Sequence, residues 1–117
     1  MEFRRRRLWT RSMSRNSVTL VTHRALGAML HVTVADVLSF DLTPEEARTL
    51  ARALAAVRDG NSSVDEIYMS PIASDRDFSA KVTPDGLLLQ GPEPPLRLEW
   101  PEVGEIAAAL AEFAGPG

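Results

Sequence analysis

The sequence predicts an α+β fold in which antiparallel sheet comes from two successive strand-rich units, each followed by one helix. Runs of alternating apolar and polar residues are joined by links too short for crossover helices, which favours antiparallel pairing. Two longer segments repeat apolar residues every three or four positions, as amphipathic helices do. Each of these segments directly follows an alternating run, so the expected order is βββα and then ββββα.

Composition narrows the class of protein. The chain has 117 residues, of which 44% are hydrophobic and 25% charged, and these values are typical of one globular domain. The absence of cysteine excludes disulfides, thiol catalysis and cysteine-based metal clusters. No apolar run is long enough to span a bilayer, and none follows the basic start as in a secretory signal. We therefore expect a cytoplasmic protein with no membrane partner, and the preference for arginine over lysine indicates a GC-rich bacterial gene.

Charge is divided unevenly along the chain. Residues 1–24 carry seven arginines against Glu2, a net charge of +6, whereas the remainder carries six basic and fifteen acidic residues, a net charge of −9. We interpret residues 1–16 as a basic flexible arm and residues 17–117 as a single domain, with possible repeat units at 17–60 and 64–114. Met13 is an alternative start, because the segment before it lacks a periodic pattern and the first expected strand follows it.

The first unit begins with a predicted hairpin. Residues 17–25 and 29–35 alternate, and a loop at residues 26–28 would join them. This register sets Leu20 opposite Val34 and His23 opposite His31. A third strand is expected over residues 37–42, with Leu38 and Phe40 on the same inward face.

The first helix has a strong start signal. Thr43 and Glu46 have the spacing of a capping box, and Pro44 stands at the first helical position. Gly60 is placed to end the helix in a left-handed conformation. The predicted buried stripe contains Ala47, Leu50, Ala51, Leu54 and Val57.

The second unit repeats this plan. Strands are expected over residues 67–72, 78–82, 87–90 and 96–100, with a β-turn at 83–86 and a helix opening at Pro101. Four aromatic residues fall on predicted core positions, which leaves Tyr68 exposed: Phe40, Phe78, Trp100 and Phe113. The junctions "LSFDLTPEEARTLARAL" and "LRLEWPEVGEIAAAL" are alike, either through internal duplication or because strand-to-helix junctions share such residues.

No segment carries a recognisable catalytic, cofactor or metal site. His23 and His31 alone leave a zinc site short of its third protein ligand. The acidic pairs fit a helix cap, a strand start and a turn, and none adjoins a phosphate-binding loop or a nucleophile elbow. We therefore expect a non-enzymatic protein with no cofactor, no metal and no small-molecule ligand.

Three hypotheses about function remain, and the third is an enzyme or metal site around His23 and His31. The first is a protein-interaction or accessory module that self-associates, because two helices cannot cover every apolar strand residue, including Val21, Met29, Met69 and Leu88. The alternative is a single-stranded nucleic-acid-binding or transcription-regulating protein that uses the basic arm. Its candidate contact residues are Arg4, Arg5, Arg6, Arg7, Trp9, Arg11, Arg15 and Arg24.

Two resemblances accompany these patterns. The segment "LSFDLTPEEARTLARALAAV" resembles a strand and Thr-Pro-Glu-Glu-Ala-Arg helix common in small uncharacterised actinobacterial proteins, and it implies no activity. The order of strands and helices is similar to the ββββα units of the PC4 and Whirly single-stranded DNA-binding proteins. That similarity of topology implies paired units with helices against curved sheets. The lysine-rich strand faces of such binders are missing, since Lys81 is the sole lysine.

Overall fold

Four consecutive antiparallel strands precede each of the two helices. The structure, a computed structural model, describes the backbone of residues 6–13, 15–74 and 77–114, and the side chains of these ranges from residue 10 onward. The first unit comprises β1 (Arg6–Ser12), β2 (Asn16–His23), β3 (Gly27–Val34), β4 (Leu38–Leu42) and α1 (Pro44–Arg58). The second comprises β5 (Glu66–Met69), β6 (Phe78–Thr83), β7 (Gly86–Leu89), β8 (Leu96–Glu99) and α2 (Trp100–Ala114).

The strands form two four-stranded meanders. Sheet A has the order β1-β2-β3-β4 and sheet B the order β5-β6-β7-β8. This arrangement confirms the predicted α+β class and the two strand-rich units that each end in a helix. The prediction was wrong in one respect, because the first unit has four strands and not three.

The additional strand lies in the basic segment. Residues Arg6–Ser12 pair with β2, so this part of the expected flexible arm is an edge strand of sheet A. The register shifts between Arg7 and Trp9, and such a bulge interrupts the alternation by which a strand is recognised. Edge strands also tolerate charged residues, because one side of the strand has no neighbour in the sheet.

The predicted register of the β2–β3 hairpin was also wrong. Leu20 pairs with Leu30 and not with Val34, and His31 pairs with Thr19 and not with His23. The register differs by four residues, and an even shift leaves both faces of the sheet unchanged, so the apolar pattern cannot distinguish the two. The turn decides the register: the Nδ1 atom of His23 accepts hydrogen bonds from the backbone N–H groups of Ala25 and Leu26 at 3.2 and 3.3 Å.

The start of α1 follows the predicted capping box. The Oγ1 atom of Thr43 accepts from the N–H of Glu46 at 3.1 Å, and the Oε1 atom of Glu46 accepts from the N–H of Thr43 at 2.9 Å. All five residues of the predicted stripe are buried. Gly60 adopts a φ of 74° beyond the helix end, as expected.

One core joins both sheets and both helices. α1 packs on β3 and β4, whereas α2 contacts β2 of sheet A and β7 and β8 of sheet B. The rings of Phe40 and Phe78 meet between the sheets, with centroids 5.6 Å apart. Trp100 and Phe113 lie at the margin of this core, partly buried, and Trp100 begins α2 where the sequence predicted the end of a strand.

Candidate functional site

A groove runs along the surface between α1 and α2. The helices are antiparallel, because Arg48 near the start of α1 donates to the carbonyl of Ala114 at the end of α2, and Arg58 lies across Gly104. The groove encloses about 390 Å³. It is lined by Arg48, Ala51, Arg52, Ala55, Arg58, Ala107, Ala108 and Ala111.

The small side chains of both helices account for this groove. Alanine favours helix and lets neighbouring helices approach closely, and it leaves space where a larger residue would fill the surface between them. Gly104 extends this property, since a Cβ atom there would lie 2.8 Å from Nη1 of Arg58. The floor is therefore apolar, although it carries no large hydrophobic side chain.

Arginines of α1 form a cationic rim on this groove. The Nη1 atom of Arg48 donates to the carbonyl oxygen of Ala114 at 2.6 Å, and Arg58 pairs with Asp59 through Nε and Oδ1 at 2.8 Å. The Arg58–Asp59 hydrogen bond raises the pKa of Arg58 and lowers that of Asp59. Arg52 is exposed, and no hydrogen bond or ion pair engages it within the part of the chain that the structure describes.

The opposite side of the groove is acidic. α2 contains three glutamates and no basic residue. Glu105 and Glu112 are exposed together with Pro101, Ala108 and Ala111. The helix pair therefore presents a basic ridge, an apolar floor and an acidic ridge side by side.

Two of the arginines predicted to contact nucleic acid have partners within the chain. Arg11 forms an ion pair with Glu112 of α2 at 2.5 Å. Arg15 binds both carboxylate oxygens of Glu102, at 2.7 and 3.0 Å, and also donates to the carbonyl of Arg97.

The other six predicted nucleic-acid contacts lie on β1, in the β2–β3 turn or outside the described residues. Arg6, Arg7 and Trp9 lie on β1, and their side chains are outside the described residues, as are Arg4 and Arg5. Arg24 is exposed in the β2–β3 turn. Because five of these eight side chains lie outside the described residues, the predicted nucleic-acid contact set stays a prediction.

Glu102 accepts hydrogen bonds from several segments of the chain, and the sequence pattern did not identify it as a functional or structural residue. It receives four donors: two from Arg15, one from the side chain of Asn16 at 3.2 Å and one from the backbone of Glu99 at 3.2 Å. The Arg15 hydrogen bonds lower the pKa of Glu102 and raise that of Arg15. A glutamate at the third position of a helix was the available signal, but its partner 87 residues away was not readable from local pattern.

Glu46 has the equivalent position in α1 and an equivalent second task. One of its oxygens caps the helix at Thr43, and the other accepts from the N–H of Ile72 at 2.9 Å. In each unit the third helical residue is thus a glutamate that caps its own helix and holds a second segment. This correspondence supports the view that the two units are repeats.

The two histidines do not meet. His31 lies between Thr19 and Asp41 in the sheet, and its Nδ1 atom is 2.6 Å from Oδ1 of Asp41. His23 closes the turn at the end of β2. Among the described residues, no group of three or more histidine, aspartate or glutamate side chains is placed to hold a metal ion.

The apolar sheet residues expected to need a partner are covered to different degrees. Val21 and Met29 face each other across β2 and β3, and both are buried, so the expectation that they form exposed surface was wrong. Met69 and Leu88 are half-buried. The helix pair is therefore a better candidate surface for a partner than Val21 and Met29 of sheet A.

No family model, curated protein or solved structure matches this chain. The similarity to the PC4 and Whirly proteins thus stays a prediction that rests on element order alone. Within the described residues, no helix is long and apolar enough to cross a membrane.

Proposed function

We propose that this chain is a non-enzymatic cytoplasmic protein-interaction module that self-associates and binds through its helix pair. The observation that supports the proposal most directly is the alanine-floored groove of about 390 Å³ between α1 and α2. An apolar floor with charged ridges is the surface that a partner helix can occupy, because burial of the floor drives association and the ridges fix orientation.

The ion pairs of the basic segment favour this proposal over nucleic-acid binding. Arg11 and Arg15 connect sheet A to α2, so their charges are used within the fold. A phosphate backbone would have to compete with Glu112 and Glu102 for these two side chains. Phosphate contacts at Arg11 and Arg15 would therefore contribute less binding free energy than contacts at solvated arginines.

Sedimentation equilibrium tests self-association directly. We expect the weight-average mass to rise above the 12.8 kDa of one chain as the concentration increases from about 1 to about 500 µM. A mass that stays at 12.8 kDa over this range would contradict self-association.

One observation favours nucleic-acid binding as a second candidate function. Lys81, Leu88 and Arg97 are neighbours across sheet B, with both cations exposed, and Tyr68 of β5 is 61% exposed. An exposed ring on a sheet that also carries exposed cations is an arrangement that single-stranded nucleic acid uses. Here the Tyr68 hydroxyl donates to Asp77 at 2.6 Å, and Glu66 lies opposite Lys81. Arg97 also lies 3.6 Å from Asp85, which reduces the local positive charge.

Fluorescence anisotropy with a labelled single-stranded DNA tests this second function. If it operates, affinity falls steeply between about 50 and about 200 mM salt, and the K81Q and R97Q variants bind more weakly. The arm is better tested by Arg→Gln changes at residues 4–7 than by truncation at Met13, because truncation removes β1 and exposes the edge of β2. Equal binding by wild type and all variants would contradict this function.

A further inference from the structure

The charges of the two helices differ in a way that makes the helix face complementary to itself. α1 carries Arg48, Arg52 and Arg58 beyond the two glutamates of its first turn, Glu45 and Glu46, whereas α2 carries three glutamates and no basic residue. A groove with a basic rim and an apolar floor suits an acidic helix with small side chains. The chain displays such a helix on the other side of the same groove, because the exposed residues of α2 are Pro101, Glu105, Ala108, Ala111 and Glu112.

We propose that the occupant of the groove is a second copy of this chain, with α1 of each copy on α2 of the other. This inference rests on the proposed self-association and names its surface. A two-fold axis that runs along the groove places the basic ridge of one copy over the acidic ridge of its partner, and it does so twice. If the two faces stacked with α1 on α1 instead, arginines of the two copies would lie together, and their repulsion would disfavour that dimer.

The size of the face sets the expected strength. A helix of 15 residues is about 22 Å long, and two such helices side by side are about 20 Å wide, so each copy buries about 450 Å². The total of about 900 Å² lies below the about 1,200 Å² of stable specific interfaces. We therefore expect a reversible dimer with a dissociation constant in the micromolar range.

Arg52 and Glu105 are suited to test the arrangement. Both are exposed, and neither has a hydrogen bond or ion pair among the described residues, so a change of charge leaves the fold of the chain intact. In a two-fold dimer each substitution occurs twice. We expect Arg52→Glu alone and Glu105→Lys alone to raise the dissociation constant by at least about tenfold.

The decisive experiment mixes these two variants. The R52E chain has a glutamate in place of one arginine on the ridge of α1, and the E105K chain has gained a basic residue on α2, so these two changed positions complement each other. We expect sedimentation equilibrium of the equimolar mixture to show a dimer at concentrations where each variant alone is monomeric. Charge-matched controls are Lys81→Glu and Glu66→Lys, which alter exposed residues of sheet B that do not line the groove and should dimerise as the wild type does.

Four results would overturn the inference. If both single variants dimerise as tightly as the wild type, or if their mixture stays monomeric, the helix faces are not the interface, although self-association itself stands. If the K81E control weakens the dimer as much as R52E, the effect is one of net charge and not of this surface. A wild type that is monomeric throughout would contradict the proposed self-association as well.

Discussion

Replacement of Glu102 by glutamine should weaken the contact between sheet A and the start of α2 without changing the size of the side chain. The carboxylate receives four donors, two on each oxygen, from Arg15, Asn16 and the backbone of Glu99. Glutamine has one oxygen and can satisfy two of these donors, and its amide group then faces the other two. The interaction with Arg15 also loses its charge.

The expected magnitude follows from burial. The Glu102 side chain is 16% exposed and that of Arg15 is 41% exposed, so solvent weakens the pair. Hydrogen bonds to charged groups contribute about 1.5–3 kcal/mol each when buried and much less at the surface. We expect Glu102→Gln to lower the free energy of unfolding by about 2 kcal/mol at neutral pH, as measured by urea denaturation.

The stability that Glu102 contributes should depend on pH. Because the hydrogen bonds from Arg15 hold the pKa of Glu102 below its ordinary value in the folded chain, the ionised carboxylate stabilises the fold above the pKa that Glu102 has in the unfolded chain. This contribution is lost as the pH falls through the folded-state pKa of Glu102. The difference in stability between wild type and Glu102→Gln should therefore shrink from about pH 6 to about pH 3.

A matched control is Glu93→Gln, since Glu93 is exposed in the loop before β8. This change should leave the free energy of unfolding within about 0.5 kcal/mol of the wild type. A Glu102→Gln difference that is the same at about pH 3 and about pH 7, or no larger than that of the control, would contradict the stabilising role of the Glu102 carboxylate.

Three further changes in stability follow from local geometry, each measured by urea denaturation. Thr43→Ala removes the oxygen that accepts from the N–H of Glu46 and should cost about 1 kcal/mol, whereas Thr43→Ser should restore most of it. Ala35 has a φ of 54°, which alanine adopts with difficulty, so Ala35→Gly should raise stability by about 0.5–1 kcal/mol. Gly86→Ala would place a Cβ atom 1.9 Å from the carbonyl oxygen of Leu98 and should lower stability by about 3 kcal/mol or more.

Each of these three stability predictions has an outcome that would contradict it. An unchanged Thr43→Ala variant would mean that the capping box is not populated in solution. A less stable Ala35→Gly variant would mean that the β3–β4 turn does not hold Ala35 in the left-handed region. A Gly86→Ala variant as stable as the wild type would show that β7 and β8 are not as close as described.

Local signals predicted the helices well because their determinants are local. The capping box at Thr43 and Glu46 and the apolar stripe of α1 are each set by residues within one or two turns. The inward face of β4 was predicted for the same reason, since Leu38 and Phe40 follow the period of a strand. The α+β class then follows from the order of elements.

Long-range pairings were beyond these signals. β1 was missed because an edge strand is held by backbone hydrogen bonds to β2 and needs no apolar alternation. The register of β2 and β3 was missed because shifts by an even number of residues keep the same faces. The ion pair between Arg15 and Glu102 joins residues 87 apart, and no local pattern encodes such a contact.

The groove shows how far the candidate site itself was predictable. The outward positions of Arg48, Arg52 and Arg58 follow from helical periodicity. That α1 and α2 lie side by side, with alanines between them, depends on the tertiary packing of two sheets. The sequence pattern therefore predicted which charges each helix exposes. It did not predict that the two helices lie next to each other.

Alanine methyl NMR can detect the proposed dimer at its own interface, because alanines form the floor of the groove. A chain labelled at alanine methyl groups is titrated from about 10 to about 500 µM, across the expected dissociation constant. The account predicts that the Ala108 and Ala111 resonances shift with concentration, whereas that of Ala28, which is exposed at the start of β3, does not. Groove methyl resonances that stay fixed while the mass of the protein doubles would contradict the account.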